Sequence, residues 1–299
     1  MNVQMAYLLG MIVGNGEISR DNFNTTISIS IPHKIQYTFD KKNIPIYVKA
    51  SITDIRSILE PVIGSQMQQI QNKSQTNLYF SKPNSDYLVT EIIKLCGNER
   101  SCTTMRIPQY FFDEASFDEI KSFLRGTADV TGYIRNSNCA FYKNDQHRVY
   151  IEIPQNWYLV VDICNLLKKI DVPVQSIDWG HPNMRDPKLG DYKKGKISVW
   201  KREHQIKIFA NEFVKIGFNV IHKNEGLMEY ARRLENTFCK LHPGHSVLEK
   251  THRYYWEITG RKKIKPIHPC ENDEFIPLEI RGKHYNNWRE IAYDLGYKK

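Results

Sequence analysis

At 299 residues and 41% hydrophobic content, the chain is long enough to bury a sizeable core, either as one large duplicated domain or as two. No apolar run approaches the roughly 18 to 20 residues of a membrane span, and the opening lacks the basic leader and cleavage site of a signal peptide, so a soluble intracellular protein is expected. The six cysteines are scattered, which fits a reducing compartment and excludes a disulfide scaffold, while the formal charge of +9 points to a polyanionic partner.

That charge is unevenly spread. Lys and Arg number 11 against 10 acidic residues over 1–115, 17 against 13 over 116–225, and 14 against 10 over 226–299. The first stretch is nearly neutral, so a partner bound there must be recognised by shape and polar contacts more than by net charge.

In chain order, an apolar small-residue helix ends at Asn15-Gly16 and runs into a hairpin, in which Ile27, Ile29 and Ile31 alternate with Thr26, Ser28 and Ser30. One face is therefore apolar and the other carries hydroxyls. Helical spacing over 52–63 leads to a second hairpin with strands at 66–71 and 76–81 and a turn at Asn72-Lys73-Ser74. Met67, Leu78 and Phe80 are its core candidates, and its polar positions are unusually rich in amides. A helix over 84–95 closes this unit.

After a polar connector over 97–107 and a short helix at 108–112, the order repeats. Ser116 with Glu119 three residues on forms a capping box that opens a second apolar helix. A hairpin follows at 132–135 and 148–154, then a helix over 158–170, strands at 175–179, 197–200 and 205–208, and a closing helix at 210–216. The loop 180–196 is polar and lysine-rich. Each unit thus reads helix, hairpin, helix, hairpin, helix, with the copies 116 positions apart, since Leu8, Gly10 and Gly16 match Leu124, Gly126 and Gly132.

Residues beyond 225 fit neither copy. A helix over 226–237 precedes Cys239-x-x-His242-x-x-His245 and His268-x-Cys270, from which Cys239, His242, His268 and Cys270 make a candidate structural zinc set. The intervening stretch is basic and aromatic, so an extension that faces DNA or a partner is the plainer reading. The expected division is 1–107, 108–222 and 223–299.

The repeated stretch, Tyr7-Leu8-Leu9-Gly10-Met11-Ile12-Val13-Gly14-Asn15-Gly16 and Phe123-Leu124-Arg125-Gly126-Thr127-Ala128-Asp129-Val130-Thr131-Gly132, resembles the signature of the LAGLIDADG homing endonucleases. The resemblance covers roughly residues 1–220 and implies an α+β fold: two αββαββα units joined as a pseudo-twofold monomer. It also implies that the signature helices pack through Gly10 and Gly14 against Gly126 and Thr127 or Ala128. Two saddle-shaped antiparallel sheets would then lie in adjacent major grooves of double-stranded DNA.

Amides suit adenine edges there and guanidinium or ammonium groups suit guanine. The implied contacts are Arg20, Asn22, Asn24, Gln68, Gln71, Lys73, Gln75 and Asn77 in the first unit, with Arg135, Asn136, Lys143, Arg148, Lys194, Lys196 and Lys201 in the second. The family's metal-binding acid precedes the motif's final glycine, where this chain has Asn15 and Thr131. Neutral side chains hold magnesium poorly, so the expectation is a DNA-binding protein with a degenerate nuclease centre: a transcriptional regulator, or the recognition part of a restriction or mobile-element system that works with a separate catalytic protein. The alternatives are a magnesium-dependent endonuclease that uses Glu17 or Asp129 instead, and an intron maturase.

Overall fold

The computed structural model describes residues 1–38, 43–98, 100–136, 147–154, 156–174, 176–181, 203–235, 278–280 and 283–285. The first unit comprises α1 (Val3–Asn15), β1 (Gly16–Arg20), β2 (Asn24–Pro32), a 3-10 turn (His33–Ile35), α2 (Ile44–Ile63), β3 (Gln68–Gln71), β4 (Gln75–Pro83) and α3 (Tyr87–Cys96). The short α4 (Tyr110–Asp113) leads to the second unit: α5 (Phe117–Thr131), β5 (Gly132–Asn136), β6 (His147–Pro154), α6 (Trp157–Lys169), β7 (Ser176–His181), β8 (Glu203–Phe209) and α7 (Ala210–Phe213). Then come α8 (Ile221–Glu235) and a small hairpin of β9 (Leu278–Ile280) and β10 (Lys283–Tyr285).

The fold is α+β and duplicated. Both sheets are four-stranded and antiparallel with the same order, β1-β2-β4-β3 and β5-β6-β8-β7. The registers correspond as well: Gly16 pairs with Ile29 and Gly132 with Ile151. Period-two alternation places Ile27, Ile29, Ile31, Leu78 and Phe80 in one continuous core with Val149, Ile151, Ile153, Ile206 and Ile208.

Helices α1 and α5 form the spine of that core. Every residue of α1 from Met5 to Gly14 is buried, which accounts for its nearly uniform apolar character. The backbones touch where side chains are absent: a Cβ on Gly10 would overlap the Phe123 carbonyl, and one on Gly126 the Tyr7 carbonyl. Thr127 Oγ1 donates to the Gly10 carbonyl at 3.0 Å and Ser122 Oγ to that of Val3 at 2.6 Å, so polar bonds lock the two helices as well. The capping box of Ser116 and Glu119 opens α5 as the spacing predicts.

Several boundaries differ from the sequence expectation, and three of them bear on the packing. Helix α2 starts at Ile44 rather than 52, because Pro45 is tolerated in a first turn and Val48 packs into the core. The helix expected over 210–216 is confined to Ala210–Phe213 and passes into a turn that ends at Gly217, φ +74°. Finally, α8 begins at Ile221 rather than 226, so the division at 222/223 falls inside a helix that packs on α2, α7, β5 and β6.

Asp129 explains that early start. It is fully buried and accepts from Tyr7 Oη at 2.7 Å, Asn219 N at 3.0 Å and Val220 N at 3.4 Å, holding the chain as it enters α8. Lys223, also buried, donates to the Asp129 carbonyl at 3.0 Å. Burial raises the Asp129 carboxyl against the pull of Lys223, and burial lowers Lys223 to about 8. One residue therefore ties α1, α5 and α8 together.

Candidate nucleic-acid interface

The face of the first sheet turned away from the helices is open. Glu17 and Ser19 of β1, Asn24, Thr26, Ser28 and Ser30 of β2, and Gln75, Asn77, Tyr79 and Ser81 of β4 alternate with the buried positions and are exposed or half-buried. On β3, Gln68 and Ile70 lie opposite Tyr79 and Asn77 and so share this face. It carries one carboxylate, Glu17, and no cation. Its hydroxyls and amides bond to one another: Thr26 Oγ1 to Ser81 Oγ at 3.1 Å, and both Ser30 Oγ at 2.9 Å and Gln75 Nε2 at 3.0 Å to Asn77 Oδ1.

The equivalent face of the second sheet carries different chemistry on the same strand order. Tyr133 and Tyr150 stack with ring centroids 5.3 Å apart, Arg135 lies 4.6 Å from the Tyr150 ring, Lys207 Nζ 5.6 Å from the same ring, and Arg148 5.4 Å from that of Phe209. Cation–aromatic contacts of this kind hold charge close to apolar surface. Tyr133 Oη and Gln205 Nε2 both donate to Glu152 Oε1, at 2.9 and 2.8 Å. Burial and the Glu152 carboxylate push the Tyr133 phenol well up, so it remains a donor. Tyr133, Arg148, Tyr150, Gln205 and Lys207 are all buried.

Part of that closure comes from the first unit. The 3-10 turn after β2 reaches across, packing Ile35 with Tyr133 and Tyr150 and pairing Lys34 Nζ with Glu152 Oε2 at 2.9 Å. His222 of α8 bonds the Gln36 carbonyl at 2.6 Å and fixes the end of the turn.

Between the sheets the ends of α1 and α5 open into a cleft of about 780 Å³, lined by Asn15, Thr131, Val130, Lys34, Glu152 and the β3–β4 turn among others. Asn15 Nδ2 donates to the Ser30 carbonyl at 2.8 Å, and Thr131 Oγ1 donates back into its own helix to the Thr127 carbonyl at 2.6 Å. Glu152, the one carboxylate among the described residues that line the cleft, is committed to Lys34, Tyr133 and Gln205. This donor set does not suit magnesium, which needs free carboxylate oxygens in near-octahedral array. Among the described residues no group of three or more His, Cys, Asp or Glu could hold a metal ion.

The residues singled out from sequence scatter across these surfaces. Gln68, Gln75, Asn77 and Asn24 lie on the open face of the first sheet. Asn22 and Lys73 are exposed in its turns. Arg20 and Gln71 pair with the buried Thr25 and Thr76, so register places them on the opposite side, and Arg20 bonds Asn98 Oδ1 at 3.2 Å. Arg135 and Arg148 sit in the closed face, and Asn136 pairs with His147 at the end of β5. Glu17 is exposed opposite Ser28, whereas Asp129 is sealed in the spine. Lys143, Lys194, Lys196, Lys201 and the zinc candidates Cys239, His242, His268 and Cys270 lie outside the described residues.

Sequence reasoning passed over Tyr79, Ile70, Tyr133, Tyr150 and Lys207. The first four were within reach of the same period-two count that found the amides; Lys207 follows from it too, two positions from Gln205.

No family model and no curated protein matches the chain. Solved structures do. A variant of the homing endonuclease I-DmoI with its target DNA and manganese is 16% identical, over 75% of this chain and 97% of that one, at a TM-score of 0.39. Full-length DUF199/WhiA from Thermotoga maritima is 14% identical over 86% and 66%, at 0.43. The I-LtrWI LAGLIDADG homing endonuclease bound to target DNA is 8% identical over 85% and 97%, also at 0.43.

Proposed function

We propose that this chain is an intracellular protein that binds double-stranded DNA at chosen sequences and does not cut it, on a LAGLIDADG-like scaffold whose nuclease centre has been lost. The open face of the first sheet carries this reading: outward amides and hydroxyls recur at strand spacing on β2 and β4, which is the pitch and chemistry needed to meet base edges in a major groove. The lost chemistry is supported by Asn15 and Thr131, both neutral and both already hydrogen-bonded within the protein. A transcriptional regulator fits this description, as does the recognition part of a restriction or mobile-element system that relies on a separate catalytic protein.

One observation favours a second reading, a magnesium-dependent endonuclease: Glu17 is an exposed carboxylate two residues beyond Asn15. The two are separated with a supercoiled plasmid carrying sites selected from a randomised duplex pool, incubated with the protein and magnesium or manganese. Retention of the plasmid without nicking is expected, with affinity falling steeply as salt rises. Metal-dependent double-strand cleavage that Glu17→Gln abolishes would overturn the non-cutting assignment. Failure to retain any duplex at low salt would remove DNA binding altogether.

A further inference from the structure

The row that crosses the middle of the first sheet's open face runs Ser30 on β2, Asn77 on β4 and Ile70 on β3, each directly opposite the next. Asn77 Oδ1 receives two hydrogen bonds, from Ser30 Oγ and Gln75 Nε2, which occupy both of its lone pairs. The amide therefore has a fixed polarity. Its Nδ2 donates to nothing among the described residues, so what it offers outward is a donor and no acceptor. Beside it Ile70 is 60% exposed, an aliphatic side chain among the face's hydroxyls and amides.

A donor flanked by an exposed aliphatic group is complementary to one major-groove edge in particular. Thymine presents the O4 acceptor next to its C5 methyl; guanine has acceptors without a methyl, and cytosine and adenine place an amine donor at the exocyclic position. An amide free to use both of its ends would instead read adenine, but here the accepting end is taken. We propose that the Ser30–Asn77–Ile70 row is a specificity determinant that recognises a thymine in the DNA target, Asn77 Nδ2 donating to O4 and Ile70 covering the methyl. This rests on the duplex-DNA reading above and adds the identity of one base to it.

The test starts from sites selected by the wild-type protein from a randomised duplex pool. Each thymine of the selected site is replaced in turn by deoxyuridine, which removes the methyl and nothing else. At one thymine the wild type should lose roughly fourfold in affinity, the worth of one buried methyl group, while Ile70→Ala, a change at an exposed position that leaves the fold intact, should bind both duplexes equally. Asn77→Asp keeps the bonds from Ser30 and Gln75 but turns the outward donor into an acceptor. At that same position it should favour 5-methylcytosine over thymine by on the order of tenfold, since the methyl stays and the keto oxygen becomes an amine.

Selected sites without a thymine, or deoxyuridine losses that are the same in Ile70→Ala as in the wild type, would overturn the proposal even if Asn77→Asp fails to fold. So would an Asn77→Asp protein whose losses are spread evenly over all positions. If the wild type retains no duplex at low salt, the failure belongs to DNA binding itself and takes this inference with it.

Discussion

The two sheets have the same strand order and matching registers, yet one keeps its outer face open, with neutral amides and hydroxyls, and the other fills it with stacked tyrosines, guanidiniums and a paired carboxylate. Equivalent positions make the contrast plain. Ser28 opposite Tyr79 in the first sheet corresponds to Tyr150 opposite Lys207 in the second, and Ser30 corresponds to Glu152. Below the sheets the asymmetry continues, with Val13 in α1 where α5 has Asp129. Duplication preserved the backbone frame because the close approach of α1 and α5 tolerates little change. The outward positions carried no such constraint, so one half could keep an open polar face while the other became a place where the two units touch.

The largest effect is expected at the helix pair that both halves share. Gly126→Val would drive side-chain atoms into the Tyr7 carbonyl, which the helix cannot move aside. A loss of at least ~3 kcal/mol is expected, seen as a collapse of the cooperative transition in chemical denaturation and disappearance of both faces together.

A pair of tyrosines distinguishes the two faces. Tyr150→Ala removes a buried ring that stacks on Tyr133 and lies beneath Arg135 and Lys207, and should cost about 3–5 kcal/mol of stability. Tyr79→Ala, half-buried on the open face, should cost about 1 kcal/mol or less while weakening DNA binding. Equal stability losses in the two variants would mean that the faces are not differently used.

A pH-dependent effect probes the packing of α8 onto the spine. Lys223 is lowered by burial to about 8, so between that pH and its ordinary 10.5 the unfolded chain holds a proton that the folded one has released. Its contribution therefore disfavours folding below pH 8 and is relieved as the pH rises, by less than ~1.4 kcal/mol per unit. Denaturant titrations from pH 7.5 to 10.5 should show this rise in the wild type and a flatter profile in Lys223→Met.

Several of these features are legible in the sequence and several are not, and the division follows the range of the forces. The paired glycine motifs, the alternation of Ile27, Ile29 and Ile31 with hydroxyls, and the Ser116–Glu119 cap are local patterns, each complete within a few residues. The start of α8 is not local, because the carboxylate that fixes it lies about 90 positions earlier. Nor is the facing of Arg20 and Gln71. Polar type alone makes both look like readers, but a one-residue difference in register sends a side chain to the other side of a sheet.

The chain by itself therefore determined the duplicated α+β architecture, the glycine-lined spine and the neutral residues at Asn15 and Thr131, because composition and periodicity encode burial and backbone approach directly. Tertiary structure alone decided which of two equivalent sheets stays open. That outcome rests in part on Lys34 and Ile35 of the first unit landing on Glu152, Tyr133 and Tyr150 of the second, more than 95 positions away in the chain. Pairings at such a separation leave no mark in any local pattern; they are set when the spine brings the two units together and leaves the turn after β2 facing the second sheet.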